Sequence, residues 1–569
     1  MPQTWLYLKA YEALRRTLIG TSTFSVVVDL GPAAFQDMNW WAARTALVVV
    51  QNTKPTIRNA YLAIDADTGR EFDRKSTVLQ QGAAQLLRQQ LQLQNPDARI
   101  LTVAAGAGKR LSAVAISLQG IKTGDDAALR RSFWEVGVKL EQWNDLQTTV
   151  ETTTAFGGLT DVVWWQEPAH TLARLQGLRA HGNPGCAVSQ MGGLPAALYL
   201  GEAFDSNVSA VIPREKGHLP SIFAYLSSPE FRKDVRRLEP GSKANNGILV
   251  EAPFDLPHWQ KVAAEKYPNG LPDPYSDDPT QWLFHGHPCY AEAGAELHVA
   301  LARLAGYRWP AESDAEMRVS VEARAHIAEV ARLSEADAYG LLPLVPVLGE
   351  RSLADRLRAY CAAAWGENWT SGSEAALIAS ACERAKEKPP KQLTFDAWLR
   401  SHAARQHAKL FHDRPFLWWI TDGRLDGFTV VAHYHCLDRA SLERVAYSML
   451  NDWIDRQGDH PRGEAARILQ AKLARILDGE KPYDIFVRWK PLERQPLGWQ
   501  PDLDDGVRLD IRPFVEAGVL AHMPKVRYTV DRGKDVPSAP WYPLFHGERR
   551  NDHHTTLAEK RAARAEATE

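Results

Sequence analysis

The sequence predicts a multidomain protein of mixed α/β and α+β class. Three observations carry that expectation. The chain has 569 residues, several times the ~150 of a typical domain. Its opening sets a helical pattern beside two short β-branched apolar runs, as in a layered α/β sheet. Residues 290–385 read as mainly helical and the last 180 or so mix both signals.

Residues 2–18, PQTWLYLKAYEALRRTL, read as the end of a buried strand entering an amphipathic helix, with Leu6, Tyr7, Tyr11, Leu14 and Leu18 on one face. Phe24 to Leu30 and Thr45 to Val50 are each the length of a strand buried on both faces. A helix crossing over to such strands belongs to the second half of an α/β sheet, so the front of that sheet is expected elsewhere. Residues 53–119 alternate short apolar runs with polar stretches, and AAGAGKR at 104–110 superficially suggests a phosphate loop. Val103 stands where the first glycine is needed and Arg110 where a metal-holding hydroxyl is needed, so the segment reads as a polar turn.

Lys and Arg number 67 against 69 Asp and Glu, so any nucleic-acid role rests on local patches. Five cysteines, at 186, 289, 361, 382 and 436, form no CxxC pair, which argues against a zinc finger or disulfide scaffold. No apolar run approaches the ~18 residues of a membrane span. The expectation is a cytoplasmic protein without a membrane partner.

Two segments are candidates for DNA contact. In GIKTGDDAALRRSFWEV, residues 120–136, Gly120 and Gly124 punctuate a turn and Asp125 or Asp126 caps a helix that carries Arg130, Arg131, Phe133 and Trp134. The plain reading packs the aromatics into a core. The sharper reading sets Lys122, Thr123, Gly124, Arg130 and Arg131 against phosphates at a helix N-terminal turn. In the second segment, Leu219–Leu226 reads as one helix and a second starts at Pro229, with Ser228 as N-cap and Glu230 complementing the dipole. Arg232, Lys233, Arg236 and Arg237 fall mostly on one exposed side, and Lys243, Asn245 and Asn246 follow in a loop. From Arg214 to Lys243 there are seven Lys/Arg against four Asp/Glu, a solvated face or a phosphate-tracking one.

The opening PQTWLYLKAYEALRRTLI, DLGPAAF at 29–35 and GIKTGDD with FWEV resemble the adenine-N6 DNA methyltransferases of large restriction-modification and phage-defence systems. Within that group the chain looks most like the Eco57I-type methylases and those of BREX and DISARM loci. The resemblance runs on through AVSQMGGLPAALYLGEAF at 187–204, PEFRKDVRRLEP at 229–240 and the residues from 483 onward. The order SSPEF, VRR, NNGILVEAPF also resembles the target-recognition fold of restriction specificity subunits. The resemblance implies a partial Rossmann-like methyltransferase domain at 1–119, a DNA target-recognition domain at 120–290, a helical spacer at 291–392 and a C-terminal α+β domain at 393–569.

The departure from the family is as informative. Those enzymes bind S-adenosylmethionine with a Gly-rich turn and hold a flipped adenine with an Asn/Asp-Pro-Pro-Tyr/Phe tetrad, because the weakly nucleophilic amine needs acceptors for its N–H and an aromatic face for its ring. LPDPY at 271–275 lacks a proline in the right place, and Lys388-Pro389-Pro390-Lys391 lacks both acceptor and aromatic. No catalytic, cofactor or metal residue is therefore assigned. The resemblance implies S-adenosylmethionine in the complete enzyme but none bound by this chain alone.

Asp273 to Pro288 reads as a turn-rich connector and KEKPPKQ at 386–392 as a boundary. A helix at 395–411 precedes a β-hairpin within 414–439, turning around Asp422-Gly423 and Asp426-Gly427. His433 and His435 alternate on its second strand, but no third ligand at fixed spacing is visible, so they read as ordinary sheet histidines. Asp531-Arg-Gly-Lys534 has one residue too many for the acid-x-Lys of a nuclease. Residues 551–569 read as a charged, frayed terminal helix, and the 19 tryptophans as core rather than base-stacking residues.

The expected function is DNA target recognition for a site-specific adenine-N6 methyltransferase. The partners are double-stranded DNA and an N-terminal methyltransferase half or other defence-system subunits. The alternative is a non-catalytic specificity module or an assembly scaffold. In either case the edge formed by Phe24–Leu30 and Thr45–Val50 should favour association.

Overall fold

The computed structural model describes residues 2–35, 44–67, 72–102, 109–124, 126–137, 143–165, 172–239, 241–274, 286–333, 336–487, 490–526, 537, 542, 546 and 556–568. The chain forms two compact, interleaved units: 1–120 with 149–155 and 177–271, and 121–148 with 156–176 and 272–569. The 120–290 segment is divided between the units because the chain returns to the first one to complete a sheet.

That first unit holds two sheets. One has the order β2-β1-β3-β4, from β1 (Thr23–Pro32), β2 (Arg44–Gln51), β3 (Ala60–Asp65) and β4 (Gln85–Arg88). β1 and β3 are parallel, and β2 and β4 are antiparallel edges. The other is antiparallel, with the order β10-β9-β12-β5. It is built from β5 (Ala115–Gln119), β9 (Gly185–Ser189), β10 (Ala196–Tyr199) and β12 (Val208–Pro213), with the two-residue strand β11 (Ala203–Phe204) preceding β12.

The core of the first sheet lies on one face. Phe24, Val27, Ala46, Tyr61, Ala63 and Leu87 pack with Leu6, Tyr7, Ile19 and Ile100 in a core. On the opposite face the cross-strand row Val49, Val26, Leu62, Leu86 runs the width of the sheet; Leu47 and Val49 there, and Val50 on the core side of β2, are each nearly half exposed. Phe24–Leu30 is buried or half-buried throughout, whereas β2, expected to be buried on both faces, is not. The opening segment also differs from its reading. Gln3–Leu6 and Lys9–Tyr11 are single 3₁₀ turns and the helix spans only Glu12–Thr21, so Tyr11 and Leu14 face solvent. Arg15 sets the helix phase instead: it is fully buried and donates to the carbonyls of Trp5, Leu8 and Asp97 at 2.7–2.8 Å.

The second unit carries a small antiparallel sheet, β6 (Arg130–Ser132), β8 (Asp161–Trp164) and β7 (Trp143–Gln147). Arg130 and Arg131 thus lie on a strand, and Phe133 and Trp134 on the 3₁₀ turn Phe133–Glu135. The helix expected to carry all four stops at Leu129, although both aromatics are core residues as the sequence suggests. The hairpin forms as expected from β14 (Leu417–Thr421) and β15 (Thr429–His433), with β13 (Leu341–Pro343) added beside β15. Asp422 closes its loop by accepting from Arg424 and Phe428 amides. The helices Leu450–Gln457 and Pro461–Asp478 cover this sheet around Trp418, Trp499 and Phe514.

His433 is buried on β15, whereas His435 lies in the turn beyond the strand, so the two do not share a strand face. Trp134, Trp309, Trp398, Trp418 and Trp499 are among the largest fully buried side chains. No described helix is long and apolar enough to cross a membrane. The 104–108 turn, Tyr275 and 531–534 lie outside the described residues.

Replacing Arg15 by Met leaves three carbonyls without their donor, and an unsatisfied buried polar group is destabilising. We expect R15M to lower the stability of the first unit by about 3 kcal/mol, read from urea unfolding. A midpoint equal to wild type would mean that Arg15 does not fix the opening helix.

Candidate functional site

The parallel pairing of β1 and β3 sets Asp29 level with Asp65. In open α/β sheets, ligands bind beyond the carboxyl ends of parallel strands. Here those ends carry Asp29, Asp65 and Asp67, which form one wall of a groove of about 650 Å³. The helix Pro229–Leu238 supplies the other wall through Arg232, Lys233, Arg236 and Arg237.

The acidic wall is fixed by a buried polar network. Asp29 is 5% exposed. It accepts from the Gly31 amide at 2.9 Å and from Gln3 Nε2, while Gln3 Oε1 accepts from Arg44 Nε at 2.9 Å. The Arg44 guanidinium then pairs with Asp67. Gly31 has φ +65°, and a Cβ there would lie 2.3 Å from Asp67 Oδ1, so only glycine allows this approach. Burial pushes the Asp29 carboxyl up to about 7; Arg44 and the Gly31 amide oppose the rise, and Asp67 and Asp65 add to it. Asp29 therefore changes charge close to neutral pH.

The basic wall rests on a capped helix. Ser228 Oγ accepts from the Phe231 amide at 3.2 Å, as the sequence indicates, and Pro229 occupies the first turn. Phe231, Val235 and Leu238 face inward. Arg99 anchors the C-terminal end by donating to Leu238 O at 2.5 Å and pairing with buried Glu239 at 3.3 Å. Arg232, Lys233 and Arg237 are exposed. Arg236 is spent on structure, donating to the carbonyls of Gly192, Gly241 and Ser242.

The remaining sequence candidates divide. In the first unit, Lys243 is exposed with its ammonium on Asn207 Oδ1, Asn245 is exposed, and Asn246 donates to Ser117 O. In the second unit, Lys122 is exposed, Thr123 is buried with its hydroxyl on Asp126, and Gly124 takes a left-handed φ of +81°. Arg130 pairs with Asp161. Arg131 is fully buried, donates to Asp505 O at 2.9 Å and lies 5.6 Å over the Trp143 ring. Arg131 and Arg236 thus both hold backbone carbonyls in place.

Beside Arg131, the fully buried Glu135 accepts from the Ser132 amide and pairs with Arg508 at 2.7 Å. Burial pushes its carboxyl up, but Arg508, Arg131 and the Ser132 amide outweigh burial and hold it below the usual range. Sequence reasoning missed Asp29, Asp65 and Asp67. Their signal was a carboxylate at the end of each apolar run, in VVVDLG and LAIDAD.

Over 199 residues, 32% of the chain, the sequence is 24% identical to the adenine-specific methyltransferase BrxX of Escherichia coli O9:H4 (strain HS). The chain is a distant relative of that enzyme. It spans 16% of the relative's length. Among solved structures, the type IIL restriction-modification enzyme MmeI in complex with DNA aligns over 46% of this chain and 41% of its own, at 10% identity and a TM-score of 0.28. That likeness is too loose to bear on fold or function. No family model matches the chain.

The raised Asp29 pKa has a definite sign in stability. The unfolded carboxyl ionises near 3.8 and the folded one near 7, so the folded state loses stability as pH rises between those values and no further above them. Relative to wild type, D29N should gain stability across the same window, on the order of 4 kcal/mol by pH 8. Parallel urea titrations at pH 4 and pH 8 check this; a gap that does not widen would refute it.

Proposed function

We propose that this chain supplies DNA recognition to a site-specific adenine-N6 DNA methyltransferase of a restriction-modification or phage-defence system. The observation that carries the proposal is the groove: exposed Arg232, Lys233 and Arg237 face the carboxyl ends of β1 and β3. Such a basic wall suits a phosphate backbone, whose neutralisation supplies much of the affinity of a DNA-binding protein. The polar ends of the strands suit a base edge, since Asp29 can accept a hydrogen bond when ionised and donate one when protonated. The sequence relation to an adenine-specific methyltransferase supports the same reading.

These 569 residues hold neither the methyl-donor turn nor the adenine-holding tetrad, so both would be carried by a separate methyltransferase core. β2 offers the place for that core to join. Among the described residues it pairs with β1 at the edge of its sheet, and Pro2 bridges it at Thr45. A strand added beside β2 would cover Leu47, Val49 and Val50.

With S-adenosylmethionine and unmodified DNA, methyl transfer is expected when this chain is mixed with one carrying the missing motifs. Transfer by this chain alone would sink the proposal. R232E/K233E should weaken duplex binding roughly tenfold at low salt and flatten its salt dependence, as read by fluorescence anisotropy. If wild type fails to bind duplex at low salt, the scaffold reading stands instead.

A further inference from the structure

The terminal helix, expected to be frayed, is docked. Leu557–Glu566 begins with a capping box in which Thr556 and Glu559 exchange side-chain and amide bonds at 2.8 and 3.3 Å. Lys560, only 1% exposed, donates to the carbonyls of Ile485 and Pro496. Burial lowers its pKa to about 8. One turn later, Arg564 donates to Gln495 O.

Gln495 is a hub for the surrounding loop. Its fully buried side chain accepts from the Val487 amide at 2.6 Å and donates to the carbonyls of Val487 and Lys490 at 2.8 and 2.6 Å. The helix and this loop enclose a cleft of about 400 Å³ lined by Lys490, Arg494, Arg564, Gln500 and Asp502. Three cations thus face one carboxylate. Lys490 and Arg494 are exposed and, among the described residues, make no ion pair. Arg564 Nε is buried without a hydrogen-bond partner among the described residues.

We infer that this cleft of the second unit binds a phosphate group. A phosphate offers several acceptor oxygens to converging guanidinium and ammonium donors, and arginine matches it with paired N–H groups. The wall is built before the ligand arrives, because Gln495 fixes the loop and Gln495 O fixes Arg564, which lowers the entropy lost on binding. The cleft exceeds a bare phosphate in size and leaves room for an esterified sugar. The same chemistry could come from a DNA backbone or from a free nucleotide. The inference is independent of the groove and of the methyltransferase reading.

The test uses the full chain and the variant K490Q/R494Q, which alters two exposed side chains and spares the Gln495 hub. Circular dichroism checks that the variant is folded. Pyrophosphate binding is measured by calorimetry and duplex DNA binding by anisotropy across a salt series. Loss of pyrophosphate affinity by tenfold or more, or a fall of about two in the salt slope for duplex, supports the site. A response of the duplex assigns it to the DNA backbone, and a response of pyrophosphate alone assigns it to free nucleotide. If both ligands behave alike with wild type and variant, the inference is wrong. R232E/K233E should leave pyrophosphate binding unchanged, which separates this cleft from the groove.

Discussion

Two parallel strands deliver the chain to the same end of a sheet, and in the first unit those exits are Asp29 to Gly31 and Asp65 to Asp67. Three carboxylates brought so close would repel if all were solvated and ionised. The fold resolves this with cations, amides and burial: Arg44 takes Asp67 and Gln3, Gln3 and the Gly31 amide take Asp29, buried Lys75 adds a second cation beside them, and Asp29 is displaced toward its neutral form. The acidic wall keeps its shape without holding three full charges. Gly31 is the geometric condition for the arrangement, since any side chain there would collide with Asp67.

The second unit treats a buried acid in the opposite way. Glu135 is as deeply buried as Asp29, yet Arg508 and Arg131 keep it ionised. Removing one partner of such a pair strands a charge in low dielectric, so these contacts specify one arrangement more than they add net stability. The two carboxylates therefore differ in purpose. Glu135 is locked by full pairing beside a packed Arg131 and Trp143, whereas Asp29 lies at an open groove with its proton poised.

Much of this was legible in the sequence where local chemistry decides the outcome. The Ser228 cap, the Pro229–Leu238 helix, the β14–β15 hairpin and the buried tryptophans follow from capping, turn residues and apolar content. The helical tract also appears, as Glu296–Leu304, Val321–Leu333, Leu353–Trp365 and Ser373–Ala385. Long-range pairing was not legible. Nothing local to RRSFWEV announces that Arg130 and Arg131 will join a strand across from Asp161 to Val163, because the partner lies thirty residues on. The clustering of Asp29 with Asp67 likewise depends on which strands pair in parallel. The terminal helix looked frayed because its charges are numerous, and a buried Lys560 satisfied by two carbonyls leaves no sequence signature.

The row Val49, Val26, Leu62, Leu86 on the face of the first sheet opposite its core has a thermodynamic consequence. Removing such apolar surface from water lowers the heat capacity, while neutralising phosphates releases counterions. Association through the sheet would therefore be steered by temperature, and association through the basic wall by ionic strength. The two surfaces of one unit would then respond to different physical variables.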